Sequence, residues 1–347
     1  MKKRNLACLA LAAPLFALTA CTGGTPSLAL SANWFLRTGD TPISSADESL
    51  TYSVSFAPSE ANTFLSYGEG SYTTRLTAEL TQLADGSTET CYHLRTELNM
   101  PVTFTVNGES SDTFEDRVTS DVWFRSVDRS LQPVRSEKTV LSHTPASETP
   151  SSLDSSYITY EYTYTATYDA ACANAQIEVV YTQPETEPRS TALELTGSGT
   201  YLDNEEILFA LRGVSMSSTA TFRSVNPAKR AVETVTMTET PASSTERFTF
   251  DLNGESAERE ITVYTFSIGY SGTNPGEPQR LTYAGVTDAN NNIYRSALLR
   301  INHKLEVYPQ ACPLFVSLVE SGFVSPQDEV TRLVAERYLA PVRAAGV

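Results

Sequence analysis

The sequence predicts a mainly β protein, built as one large curved antiparallel sheet or as two similar lobes of sheet, with a short mid-chain helix and a C-terminal helix. Three observations predict it. Apolar and polar residues alternate with period two over most of the chain, in segments rich in Thr, Tyr and Val, as expected of strands with one buried face. Tight-turn dipeptides, Asp85-Gly86 and Asn107-Gly108, separate such segments, and both supply the positive φ angles that a hairpin needs. Only two stretches carry apolar residues at helical spacing instead.

Residues 1–20 read as a secretion signal: Lys2, Lys3 and Arg4 precede an apolar run over 6–18, broken only by Pro14. The run falls short of the roughly 20 residues that a membrane-spanning helix requires. Leu18-Thr19-Ala20-Cys21 then has the form of a bacterial lipobox, and Thr22-Gly23-Gly24-Thr25-Pro26-Ser27 makes a polar tail. The expectation is a mature protein that begins at a lipid-modified Cys21 and carries palmitate-type acyl chains, with 21–30 as a flexible tether. Two or more chains hold a protein at a membrane where one holds it only marginally. The expected location is the extracytoplasmic face of the cell membrane.

Beyond the tether, 31–200 reads as a first β lobe and 201–347 as a second, joined in one continuous domain. Leu50, Tyr52, Val54 and Phe56 alternate first. A hairpin follows over 72–83 and 88–98, turning at Ala84-Asp85-Gly86-Ser87. Strands are then expected at 102–106, 117–127 and 138–143, before a Ser/Pro/Thr-rich loop at 144–156. Tyr160, Tyr162, Tyr164 and Tyr168 alternate with Thr and Glu in the next strand. Such a row is either a ligand-binding aromatic strip, suited to stacking on sugars, or the half-buried face of a strand. Strands at 177–182 and 190–196 precede the first helix, which starts at Asp203 as cap and runs to about 213–215. Glu205 and Glu206 sit at its start, where carboxylates favour the helix dipole and require no catalytic role. Strands resume at 218–225, 231–238, 261–268 and 294–301. The C-terminal helix is capped by Ser325, with Pro326 at its first position and Val330, Leu333, Val334, Tyr338 and Leu339 as its apolar stripe.

A short repeat supports the two-lobe reading. Phe104-Thr105-Val106-Asn107-Gly108-Glu109-Ser110 returns as Phe250-Asp251-Leu252-Asn253-Gly254-Glu255-Ser256.

Composition excludes some functions. The 41 acidic against 25 basic residues give a formal charge of -16, made more negative by loss of the signal, so nucleic acid is not an expected partner. Cys91, Cys172 and Cys312 remain after the signal and the anchor; one pair forms a disulfide or all three stay thiols, and the spacing does not choose. They and the scattered His93, His143 and His303 form no zinc pattern. Asp288, Asn290 and Asn292 have the spacing of the first ligands of a calcium loop, but Ile293 and Leu299 stand where glycine and glutamate are needed. No Gly-x-Ser-x-Gly or other nucleophile motif occurs. No metal, cofactor or catalytic residue is therefore expected, and the chain reads as a non-enzymatic monomer.

Val122-Trp123-Phe124 followed by Leu131-Gln132-Pro133-Val134-Arg135-Ser136 resembles the aromatic, Leu-x-Pro and Ser step of DUF3108-type and LolA/LppX-like β half-barrels. Asp203-Asn204-Glu205-Glu206-Ile207-Leu208-Phe209-Ala210-Leu211-Arg212 and Arg280-Leu281-Thr282-Tyr283-Ala284 are similar to segments of lipoproteins of gut Clostridia. The resemblance covers about 45–310 and implies a curved sheet closed by helices, with an apolar cavity for acyl chains. The expected role is binding in the cell envelope, of an apolar ligand in the concave face or of a protein or glycan at the surface.

Overall fold

A computed structural model describes residues 47–56, 64–127, 130–147, 149–213, 219–239, 244–252, 255–272, 279–284, 297–305 and 312–324. Cys21 and its tether, the Asp288 loop and the expected C-terminal helix lie outside them.

The described chain is mainly β. Its strands are β1 (Asp47–Phe56), β2 (Leu65–Tyr67), β3 (Gly70–Gln82), β4 (Thr88–Val106), β5 (Glu109–Ser110), β6 (Phe114–Val127), β7 (Ser130–Pro145), β8 (Tyr157–Tyr168) and β9 (Asn174–Gln183). They continue with β10 (Arg189–Glu194), β11 (Tyr201–Asp203), β12 (Ala220–Asn226), β13 (Ala231–Glu239), β14 (Ser244–Leu252), β15 (Glu255–Ser271), β16 (Gln279–Ala284), β17 (Leu298–Leu305) and β18 (Cys312–Val324). Pairing runs in the order β10, β9, β8, β7, β6, β4, β3, β1, β18, β17, β16, β15, β13, β12, β11. Every step is antiparallel except β11 with β12. No described helix is long and apolar enough to cross a membrane.

The turns form for the expected reasons. Asp85 accepts from the Ser87 amide at 3.0 Å and from its hydroxyl at 2.6 Å, while Gly86 takes φ 85°. Asn107 and Gly108 take φ 54° and 85° between the paired residues Val106 and Glu109, the geometry of a two-residue hairpin with both central residues left-handed. In the second copy of the repeat, Leu252 pairs with Glu255 in the same register. The repeat is thus a recurring hairpin.

Several expectations on strands change, among them β7, which starts at Ser130, and β14 and β16, which the sequence reading lacks. β4 does not break between the expected segments 88–98 and 102–106; it runs through Pro101, whose carbonyl accepts from Gly68. A proline deprives a strand only of its own N–H, and its carbonyl still pairs. β18, absent from the sequence reading, lies between β1 and β17.

The sheet must curl. Strands sit about 4.8 Å apart, so a flat sheet of this width would hold β6 and β15 far from each other. Yet Phe124 of β6 and Phe266 of β15 belong to one buried cluster, with Tyr52, Tyr92, Phe222, Val235, Leu281 and Leu299. What draws them together is a short helical segment inside the curve: 3-10 turns at Asn204–Glu206 and Leu211–Gly213 flank α1 (Ile207–Ala210). Ile207, Phe209, Ala210 and Leu211 are buried, and the Phe209 ring lies 5.0 Å from Phe124 and 5.7 Å from Tyr92. Residues 204–213 act as a plug that fills the concave face.

Candidate functional site

The plug is fastened by polar residues at both ends, and its N-terminal end carries a cluster of buried polar residues. Asp203 caps the helix as expected: its side chain accepts from the Glu205 amide at 2.9 Å, and Glu206 reaches back to the Asp203 amide at 3.3 Å, completing a capping box. Glu205 and Glu206 do sit at the helix start as the sequence predicts, but their burial goes beyond a dipole interaction. Glu206 and Asp203 are 0% exposed and the Glu205 side chain 10%, because the helix starts inside the curled sheet instead of on its surface.

Burial forces these acids to find donors, and β7 and β8 supply them. Ser136 Oγ donates to Asp203 Oδ2 at 2.6 Å and Tyr168 Oη to the same oxygen at 2.5 Å. Lys138 Nζ and Tyr164 Oη both donate to Glu205 Oε1 at 2.8 Å. Glu206 Oε2 is buried with no hydrogen-bond partner among the described residues. The environments drive the three carboxyls apart. Burial pushes Asp203 up to about 6, against the bonds from Ser136, Tyr168 and the Glu205 amide. Burial, reinforced by neighbouring Asp203, raises Glu206 well above the usual carboxylate range. Burial also opposes the charge on Glu205, but Lys138 and its hydrogen bonds win and hold it low. The result is an ionised Glu205 paired with Lys138, beside Glu206, which holds its proton, and Asp203, which gives its proton up near pH 6.

The tyrosine row divides. Tyr164, expected among candidate surface aromatics, lies inside at 2% exposure with Tyr168, facing the acids, so it offers no ring to an external ligand. Thr163, Thr165 and Thr167 face out in its place. Tyr160 and Tyr162 are partly buried on either side of a bulge between Glu161 and Tyr162, and the Tyr162 ring tilts against Tyr181 at 5.1 Å.

Cys91 and Cys172 are free thiols, with Cys91 buried and Cys172 partly so. Burial pushes them up to about 11 and about 12 respectively, which leaves little thiolate at neutral pH. Buried His143 bonds Asp116 through Nδ1 at 2.7 Å and through its amide at 2.9 Å, and stacks on Phe114. His93 bonds Asp121 at 2.7 Å and stacks on Trp123, whose other neighbour is the Arg135 guanidinium, 4.5 Å from the ring centre. Each is a cross-strand packing arrangement. Among the described residues no group of three or more His, Cys, Asp or Glu is placed to hold a metal.

The acid cluster was missed by sequence reading because it needs Ser136 and Lys138, each 67 positions away from its partner. The available signal was the setting of Asp203, Glu205 and Glu206 between Leu202 and Ile207, apolar neighbours on both sides of a charged run. Chemically, the arrangement can hold and release protons. Beside the plug, a cavity of about 20 Å³ is lined by Leu50, Tyr52, Tyr72, Thr74, Leu94, Leu208, Phe209, Arg212 and Leu298, room for about one water.

No family model matches the chain. Short stretches are similar to glutamate racemases: 53% identity over 49 residues with that of Chlorobaculum tepidum, covering 14% of this chain and 17% of the relative. With the enzyme of Geobacter metallireducens identity is 48% over 54 residues, 16% of this chain and 19% of the relative. With that of Syntrophus aciditrophicus it is 43% over 80 residues, 23% and 24%. The chain thus spans less than a quarter of the length of these relatives. A structural comparison finds the β-barrel-like protein of Domain of Unknown Function DUF1849 from Brucella abortus, with TM-score 0.44, 8% identity, and coverage of 80% of this chain and 98% of that one. The expectation that the chain is no enzyme is corrected by the racemase matches, since part of its sequence is shared with an enzyme family.

Proposed function

We propose that this chain is an extracytoplasmic envelope protein, held to the cell membrane by lipid on Cys21, that engages a protein partner through the outer face and edges of its curled sheet. The observation that supports this reading is the tight packing around the plug. Among the described residues the largest fully buried side chains, Tyr52, Tyr92, Phe124, Phe209, Phe222 and Phe266 among them, pack around the plug, and the cavity beside Phe209 and Arg212, with room for about one water, is too small for an acyl chain. A second reading, an acyl chain held in the concave face, draws support from the apolar lining and requires residues 204–213 to leave.

Fractionation and native mass spectrometry test both readings. Cys21→Ser should move the protein from the membrane to the soluble fraction; a variant that stays membrane-bound overturns the anchor. Protein purified from a bacterial host should show its polypeptide mass without bound phospholipid, and a stoichiometric lipid adduct would favour the second reading.

A further inference from the structure

The plug is fastened at its two ends by different chemistry. At its C-terminal end Arg212 donates to both oxygens of Glu48, at 2.6 and 2.8 Å, with both side chains almost fully buried. Arginine stays charged at any physiological pH, so this fastening is constant. Between the ends, α1 is held by apolar contacts and by Tyr283 Oη donating to the Leu208 carbonyl at 2.9 Å. At the N-terminal end Asp203 and Glu206 lie side by side, tied through the capping box, and Glu206 Oε2 is buried without a partner among the described residues.

The groups around this pair leave its charge unbalanced once it forms. From β7 come Ser136, which is neutral, and Lys138, which is engaged by Glu205 at 2.8 Å. From β8 come the phenols Tyr164 and Tyr168, whose own ionisation is suppressed first by burial and then by these same carboxylates. From the turn after β8 comes the Cys172 thiol, likewise kept neutral. The Arg125 guanidinium, which also acts on Cys172, is paired with Glu89 at 2.7 Å. With Glu205 already ionised, charge on Asp203 and Glu206 would place three carboxylates near one ammonium among the described residues, in a dry site where repulsion is poorly screened.

We propose that the Asp203–Glu206 end of the plug is a proton-operated latch, which seats residues 204–213 inside the sheet in mild acid and loosens them in mild alkali while the Arg212–Glu48 end stays fastened. The raised proton affinities of Asp203 and Glu206 support the same direction. Loosening would bare the apolar lining now covered by Ile207 and Phe209, so envelope pH would set access to the interior.

Hydrogen exchange of the full chain in detergent, read by mass spectrometry and corrected for the intrinsic rate, tests the latch. Between about pH 5 and about pH 8 the amides of 204–213 should lose protection about tenfold or more, while those of β4 and β6 hold theirs. The double variant Asp203→Asn/Glu206→Gln should remove most of that difference, since Asp203 titrates near 6 with or without its neighbour. Glu48→Gln should raise exchange in the plug at both pH values and leave the pH difference in place. Equal protection of the wild-type plug at both pH values overturns the proposal, as does an Asp203→Asn/Glu206→Gln protein that keeps the full pH difference. The wild-type comparison stands alone if a variant fails to fold.

Discussion

Arg212 and Glu48, 164 positions apart in sequence, meet through two parallel hydrogen bonds of 2.6 and 2.8 Å in the interior of the protein. Their pairing joins the end of the plug to the first strand. The Arg212 guanidinium also lies 5.4 Å from the centre of the Phe209 ring, so the ion pair and the apolar packing of α1 share one residue.

Removing one partner leaves the other charge buried and alone. Arg212→Met should lower unfolding stability by about 3–5 kcal/mol, and the double variant Glu48→Leu/Arg212→Met should recover most of that loss. Urea denaturation midpoints at neutral pH measure both. A double variant no more stable than Arg212→Met would mean that the pair's geometry itself carries the stability.

Tyr164 offers a sharp test of burial against surface recognition. Tyr164→Phe should cost about 1–2 kcal/mol by withdrawing a donor from Glu205, and Tyr164→Ala about 3–5 kcal/mol through the cavity left behind. Thermal unfolding reads each. Unchanged melting of the alanine variant, with loss of binding to cell-wall glycan, would restore the ring as a surface contact.

The acids near the plug make stability depend on pH in two opposed ways. Asp203, raised from 3.8 to about 6 in the folded protein, contributes stability that is fully present below its unfolded value and is lost as pH rises through about 6. A shift of about two units corresponds to about 3 kcal/mol. Glu205 is depressed, so its contribution is present above its unfolded value and fades as pH falls below the ordinary glutamate range. The stability lead of wild type over Asp203→Asn should therefore shrink by about 3 kcal/mol between about pH 4 and pH 7, while that over Glu205→Gln should grow over the acid part of the range. Denaturant titrations of the three proteins across pH give the slopes.

Two glycines should respond to alanine for different reasons. A Cβ at Gly70 would meet the Asn99 carbonyl oxygen at 2.7 Å, a backbone atom of the paired strand, so Gly70→Ala should cost about 1–3 kcal/mol. At Gly86 nothing lies within 4 Å, and only φ 85° penalises a side chain, so Gly86→Ala should cost about 1 kcal/mol. Paired melting curves distinguish steric displacement of a strand from local turn strain.

The free thiols should be slow to react. With Cys172 up to about 12 and Cys91 about 11, alkylation of the native protein near neutral pH should run at least about a hundredfold slower than that of an unfolded thiol. Mass spectrometry after iodoacetamide treatment, with and without urea, reads the rates.

Local residue chemistry determined much of this protein. Period-two alternation made the strands legible, Asp85-Gly86 and Asn107-Gly108 marked their turns, and Asp203 announced the short helix that it caps. These features depend on neighbours within a few positions, and so a linear reading finds them. The continuity of β4 through Pro101 and the placement of β18 between β1 and β17 depend on partner strands far along the chain, which local propensity does not reveal. Tertiary structure alone decided what covers each face. Alternation shows that Tyr164 and Tyr168 share a side of β8, but only the curl of the sheet encloses that side and brings it against Asp203 and Glu205. The same curl carries the start of the helix into the interior, where loss of water forces carboxylates either to find a cation, as Glu205 finds Lys138, or to keep their protons, as Glu206 does.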